Sequence, residues 1–185
     1  MVQINYDYSA ICRNEVDIRI AKQEHKDTYV VAQTFADLFN KDITVTQTPQ
    51  FTSYDLEVEV ASSKMAVEVK EYNLTAENEK KYGKNVMLKV DKLMRMQQAS
   101  QGKKLLYTVI LNKKELVIFD CSQIDWSTLK IVNVKQKKVQ YNPNSPIVSL
   151  PTYIIPCKYA VKTQPCDINY WIYEEFEDKP EFTIK

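Results

Sequence analysis

The chain has 185 residues, 44% apolar and 26% charged, with a formal net charge of +1. That length can bury one sizeable core, and the near-neutral balance does not by itself announce a nucleic-acid partner. Two glycines, Gly83 and Gly102, are too few for a Gly-rich phosphate cradle. One histidine, His25, and four cysteines without C-x-x-C spacing speak against zinc and against most His-based catalysis.

The opening stretch Met1 to Asn14 is polar and Tyr-rich, without the apolar run of a signal peptide. No apolar run approaches the roughly 18 residues of a membrane span, so a cytoplasmic protein is expected, with no membrane partner. Cys12, Cys121, Cys157 and Cys166 are expected as buried or incidental thiols. From about Cys12 to Asn40 the spacing predicts a helix. Glu24, Thr28, Val31, Phe35 and Leu38 or Phe39 fall on one stripe. The polar interruption Glu24 to Asp27 would allow two pieces. Ile43 to Thr48 is β-branched and alternating, a strand broken by Pro49.

Ser53 to Val60 and Met65 to Tyr72 are the clearest strands. Thr75 to Lys84 reads as a charged connection. Val86 to Ser100 reads as an amphipathic helix with Val86, Val90, Leu93, Met94 and Gln97 or Gln98 near one stripe, stopped by Gln101-Gly102. Lys104 to Leu111 and Glu115 to Asp120 are apolar strands joined by Asn112-Lys113-Lys114. Ile131 to Val134 and Lys138 to Tyr141 could form a hairpin. Pro143, Pro146, Pro151 and Pro156 then argue against long central strands. Thr152 to Ile155 and Ile168 to Phe176 would be short packed strands. The order predicts an α/β fold, a mixed central β-sheet flanked by helices. We expect one domain over 1–185, with a core of about 12–120 and a β-rich extension of about 121–185.

The chemistry concentrates in the hairpin. Leu56, Val58 and Val60 share one face of the first strand; Met65, Val67 and Val69 share one face of the second. Closure by Ala61 to Lys64 would pair Val60 with Met65, Val58 with Val67 and Leu56 with Val69. That register sets Glu57 opposite Glu68 and Asp55 opposite Lys70, with Glu59 at the far end. Two carboxylates about 5 Å apart repel by roughly 3 kcal/mol at an effective dielectric near 20. A lysine offsets part of that, and a Mg²⁺ or Mn²⁺ ion offsets more. An ordinary solvent-facing strand with alternating charges is the alternative.

Asp55, a gap of twelve residues, then Glu68-Val69-Lys70 resembles the D…(D/E)-x-K core of the PD-(D/E)XK nuclease superfamily. Tyr54 stands where that motif has proline. The helix before the hairpin, and the helix and strand after it, are also similar. The likeness covers roughly Glu24 to Asp120, and Tyr82, Lys92 and Leu106-Tyr107-Thr108-Val109 extend it toward small nuclease-like proteins of phages and mobile elements. It implies a restriction-endonuclease-like core and a metal-dependent DNA endonuclease in a bacterial or phage-infected cell. Asp55, Glu68 and the Val69 carbonyl would hold Mg²⁺ or Mn²⁺, and Lys70 would be the catalytic lysine. An acid from the preceding helix is expected, Glu24 first and Glu15 second; each can equally be a surface acid. Glu57 is an extra ligand or a plain strand acid.

Lys80, Lys81, Lys84, Lys89, Lys92, Arg95, Lys103 and Lys104 form a basic stretch. Lys89 and Lys92 could reach a DNA phosphate, or be solvated helix lysines. Tyr6, Tyr8, Tyr153, Tyr159, Tyr170 and Tyr173 could stack on bases, though packing explains them more cheaply. Double-strand cutters commonly work as dimers, so a homodimer is a candidate assembly. A nuclease fold that has lost its chemistry and binds DNA or protein is the competing reading, and an interaction protein with an ordinary polar hairpin is a third.

Overall fold

A computed structural model describes residues 1–50, 52–138 and 144–166. In chain order the elements are β1 (Val2–Asn5), α1 (Glu15–Phe39), β2 (Ile43–Gln47), β3 (Leu56–Val60), β4 (Ser63–Tyr72), α2 (Ala76–Tyr82), β5 (Asn85–Lys89) and α3 (Val90–Ala99). There follow β6 (Lys104–Leu111), β7 (Glu115–Asp120), β8 (Ile131–Lys137), β9 (Ile147–Pro156) and β10 (Lys162–Pro165). Seven strands form one sheet in the order β1-β2-β3-β4-β6-β7-β10, and β5-β9-β8 form a second. In the large sheet β1 runs parallel to β2 and β4 parallel to β6; its other pairs are antiparallel. The expected α/β class with a mixed central sheet and flanking helices is what the chain adopts. The sheet also takes in β1 and β10, from either side of the hairpin-centred core.

Helix α1 is unbroken. The Asn14 side chain accepts from the Asp17 N–H (3.0 Å), and Asn40, left-handed at φ 48°, donates its N–H to Ala36. No glycine or proline interrupts Glu15–Phe39, so the polar stretch at 24–27 does not split it. The Thr28 hydroxyl satisfies itself on the Glu24 carbonyl (2.7 Å). Val31 and Phe35 press on one face of the sheet, against Val45, Leu56, Val58, Val67 and Ile110. The opposite face carries Ala66, Tyr107 and Phe119, covered by Leu93 and Met96 of α3 and by Val86, Leu88 and Ile155 of the small sheet. Strands β6 and β7 lie between the two cores, which is why both are apolar along almost their whole length.

The hairpin closes differently from the sequence expectation. A two-residue turn, Ala61-Ser62, with Ala61 at φ 53°, pairs Val60 with Ser63, Val58 with Met65 and Leu56 with Val67. The shift from the expected register is two residues, so every side chain keeps its face while each partner changes. Glu57 now faces Ala66, not Glu68, and Glu59 faces Lys64, its ion-pair partner at 3.4 Å.

Other segments also differ from expectation. The segment 75–84 contains α2, capped by Thr75 and ended at Gly83, φ 78°. Val86 to Lys89 is strand β5, not the first turn of a helix: Val86 and Leu88 bury themselves alternately while paired with β9. Helix α3 therefore starts at Val90. It buries Leu93 and Met96 and leaves Met94 56% exposed. Strand β8 pairs with β9, which is a ten-residue central strand despite its prolines; the expected hairpin partner Lys138 to Tyr141 lies, beyond Lys138, outside the described residues. Pairing with β5 stops at Thr152, so Pro151 lies where β9 has a neighbour on one side. The expected strand at 168–176 lies outside the described residues.

Candidate active site

Strand β3 begins at Leu56, opposite Val67, whereas β4 continues to Tyr72 with β6 beside it. Beyond Val67 the β3 side of β4 is thus open. The first half of α1, together with Gln47 to Gln50 and Thr52, closes around that opening, leaving a cleft of about 630 Å³. Asp55, Glu68, Val69 and Lys70 line it from the hairpin, and Glu24 and Asp27 line it from α1. Four expected residues of the motif and the favoured helix acid therefore share one cavity. Glu15, the other helix candidate, is exposed and is not among the lining residues.

Asp55 is fixed by its backbone and its side chain. Its N–H donates to the Val67 carbonyl (3.0 Å) and its own carbonyl accepts from the Thr48 N–H (2.8 Å). Its Oδ2 accepts from the Val69 N–H (2.8 Å). The carboxylate thus takes the place a β3 residue would have held on the β4 ladder. An extended residue directs its N–H and C=O to the same side, so the Val69 carbonyl also faces the opening.

Continuing the β3–β4 register brings Asp55 level with Glu68, and their carboxyls share a hydrogen bond. Glu68 is only 8% exposed. Burial first, and then the neighbouring Asp55, push its pKa up to about 8 against the opposing pull of Lys92. Burial also raises Asp55, offset by the Val69 N–H and by Lys92. Near neutral pH the two carboxyls hold a proton between them. The expected opposition of Asp55 and Lys70 does not occur: Lys70 is exposed at the cleft and level with Val109 of β6.

Helix α1 adds a second acidic pair. Glu24 keeps exposed surface toward the cleft, yet its carboxyl is poorly solvated there. Burial, then Asp55 and Asp7, raise its pKa to about 7. Asp27 is pushed up to about 7, first by burial, with Glu71, Asp55 and Glu24 adding to it and a hydrogen bond from Gln23 (2.8 Å) opposing. Sequence reasoning did not single out Asp27. The signal was present: Glu24, Asp27 and Val31 stand at helical i, i+3, i+7 spacing, so Asp27 shares the inward stripe.

Glu57 is not part of the site. It accepts from the Tyr54 hydroxyl (2.8 Å) and pairs with Lys103, which lowers its pKa. Lys92 sits on Glu68, Nζ to Oε2 2.9 Å, and is not among the cleft-lining residues. Lys89 is half-buried; burial and then Lys70 lower its pKa, so those two cations lie near one another. The basic stretch as a whole is not an open phosphate-facing surface. Lys84 pairs with Glu115 (2.6 Å), Lys104 with Asp120 (3.0 Å) and Arg95 with Asp91 (3.2 Å). The tyrosines pack: Tyr6 and Tyr8 each lie 4.9 Å from the His25 ring, and Tyr153 lies 5.1 Å from Trp126. Tyr159 is exposed, and Tyr170 and Tyr173 lie outside the described residues. Cys12, Cys121 and Cys166 are buried and Cys157 is half-buried.

The donors present are all oxygens, the chemistry Mg²⁺ and Mn²⁺ take. Among the described residues no three His, Cys, Asp or Glu side chains stand close enough together to hold an ion as they are. Two carboxyls do converge, however, and the Glu68 Oε2 is fully buried with no aligned hydrogen-bond donor despite its Lys92 contact. A cation at this point would replace the shared proton and satisfy that atom. The donor chemistry therefore fits a hard divalent ion, which Asp55, Glu68 and the Val69 carbonyl would hold.

No protein-family model matches the chain, and no curated protein matches it. Among solved structures it is similar to Hjc, a Holliday junction resolvase from the archaeal hyperthermophile Archaeoglobus fulgidus. The TM-score is 0.44 at 12% identity, over 73% of this chain and 87% of that one. No helix among the described residues is long and apolar enough to cross a membrane.

Proposed function

We propose that this chain is a divalent-metal-dependent DNA endonuclease of the PD-(D/E)XK type. The observation that carries the reading is the meeting of the Asp55 and Glu68 carboxyls where β4 loses its β3 neighbour, with Lys70 beside them in the same cleft. Asp55, Glu68 and the Val69 carbonyl would hold Mg²⁺ or Mn²⁺. When bound, such an ion supplies Lewis acidity at a phosphate and makes a water a better nucleophile.

The chain's own residues divide the remaining work. The Val69 N–H fixes the Asp55 carboxylate, so the binding geometry is set before substrate arrives. Lys70, exposed at the cleft, would orient the attacking water and offset charge growing on the phosphate. Glu24 and Asp27, each with a pKa of about 7, can hold or release a proton at neutral pH. Lys70 and Lys89 would meet backbone phosphate, which makes binding salt-sensitive. Hydrolysis would leave a 5′-phosphate and a 3′-hydroxyl. Cutting both strands would need two such sites, hence a homodimer.

One observation favours a second reading. Lys92 already neutralises Glu68, as a cation would, which suits a module that has kept the fold and lost the chemistry. Incubating plasmid, linear duplex and branched DNA with Mn²⁺ separates the two. Wild-type cleavage should fall by at least about 100-fold in Lys70→Ala and in Asp55→Asn, the scale of a lost electrostatic group, with circular dichroism unchanged. DNA binding without cleavage, and no metal response, would favour the module.

A further inference from the structure

We propose that Lys92 is the resident counter-ion of Glu68 and competes with the divalent cation for that carboxylate. The inference rests on the metal-dependent reading above and deepens it by assigning what sets the strength of metal binding.

Three observations carry it. The pair is withdrawn from solvent: the Lys92 side chain is 21% exposed and that of Glu68 10%, with 2.9 Å between Nζ and Oε2. Screening is weak there, so the lysine's charge acts on the carboxylate with little attenuation. The contact is also electrostatic rather than directional, because Oε2 has no aligned hydrogen-bond donor. A cation held without such alignment is the easier one for a stronger charge to displace. Finally, Lys92 comes from α3 on the far side of the sheet, whereas the cleft opens toward α1. The lysine can withdraw without any movement of the hairpin that carries Asp55, Val69 and Lys70.

Repulsion follows from the same geometry. A dication seated against Glu68 meets an ammonium a few ångströms away. Removing that ammonium helps the dication about twice as much as it helps a competing proton, because the interaction scales with charge. Neutral replacement of Lys92 should therefore strengthen metal binding even where Glu68 takes up a proton in its absence. A lysine that only positioned Glu68 would give the opposite sign, since its loss would let the ligand drift.

Calorimetric titration of Mn²⁺ into DNA-free wild type, Lys92→Met, Lys92→Gln and Asp55→Asn tests this. Met keeps the aliphatic length of the side chain, and Gln guards against a packing artefact. Both Lys92 variants should bind Mn²⁺ at least about fivefold more tightly than wild type, the lower end of typical coupling between linked sites. Thermal melts give a second readout. Without metal the Lys92 variants should melt below wild type, because Glu68 has lost its partner. Under saturating Mn²⁺ that gap should close, whereas a purely structural role would leave it open. Equal or weaker Mn²⁺ binding in both variants, with wild type binding and Asp55→Asn not, overturns the inference and leaves the nuclease reading standing. No Mn²⁺ binding by wild type overturns both.

Discussion

The proton between Asp55 and Glu68 makes the stability of the metal-free protein depend on pH in a direction opposite to the usual one for acids. Glu68 has a folded pKa of about 8 against an ordinary value of 4.5. Between those values the folded chain binds a proton that the unfolded chain does not, so stability falls as pH rises. The loss begins above the unfolded value and is complete once pH passes the folded one. One fully coupled proton is worth about 1.4 kcal/mol per pH unit. Sharing with Asp55 spreads the titration, so half that slope applies, about 1.4 kcal/mol from this pair between pH 6 and 8. For a chain of this size that corresponds to roughly 3–6 °C in Tm. Thermal melts in EDTA across that range should show the fall, and Glu68→Gln, neutral at every pH, should make it shallower by this share, leaving the part that Glu24 and Asp27 contribute. Saturating Mg²⁺ should remove the same share, because the ion stabilises the deprotonated pair. A metal-free Tm that is flat or rises toward pH 8 would refute the shared proton. So would a slope that persists unchanged in Glu68→Gln.

Asp27 carries a raised pKa of about 7, mainly from burial. Asp27→Asn keeps a hydrogen-bonding partner for Gln23 and removes the charge, so it should raise the metal-free Tm at pH 8 and change little at pH 5.5, as read by melts at both values. Ala61 stands at φ 53° in the hairpin turn; Ala61→Gly should stabilise the fold by about 0.5–1 kcal/mol in urea unfolding, since glycine adopts that conformation without strain. Phe35, fully buried on the sheet-facing side of α1, should cost about 3–5 kcal/mol when cut to Ala, again by urea unfolding. Glu57→Gln should weaken the contact with Lys103 and leave Mn²⁺ affinity at its wild-type value in calorimetry, because Glu57 lies outside the cleft.

Much of this arrangement was legible from period alone. Alternation assigns Leu56, Val58, Val60, Met65, Val67 and Val69 to one face whatever the register, so the charged face follows even though the turn shifts the pairing by two residues. Register was harder because it depends on turn geometry: nothing in Ala61-Ser62 announces a left-handed residue as Asn-Gly would. Val86 to Lys89 fits both the helical stripe and the strand alternation. Pairing with β9, more than sixty residues further on, decides it. Lys92 illustrates a limit of another kind. Along the chain it is one cation in a basic run. Only the α3–sheet packing sets it on Glu68, where the sequence offered a DNA phosphate or solvent as its partner. The basic run therefore cannot be weighed as a unit: Lys84, Lys103 and Lys104 neutralise acids of the same fold, while Lys70 lies near Asp55 in the cleft and Lys89 lies near Lys70. The charge that matters for a phosphate is this local one, set by where β3 stops and β4 continues.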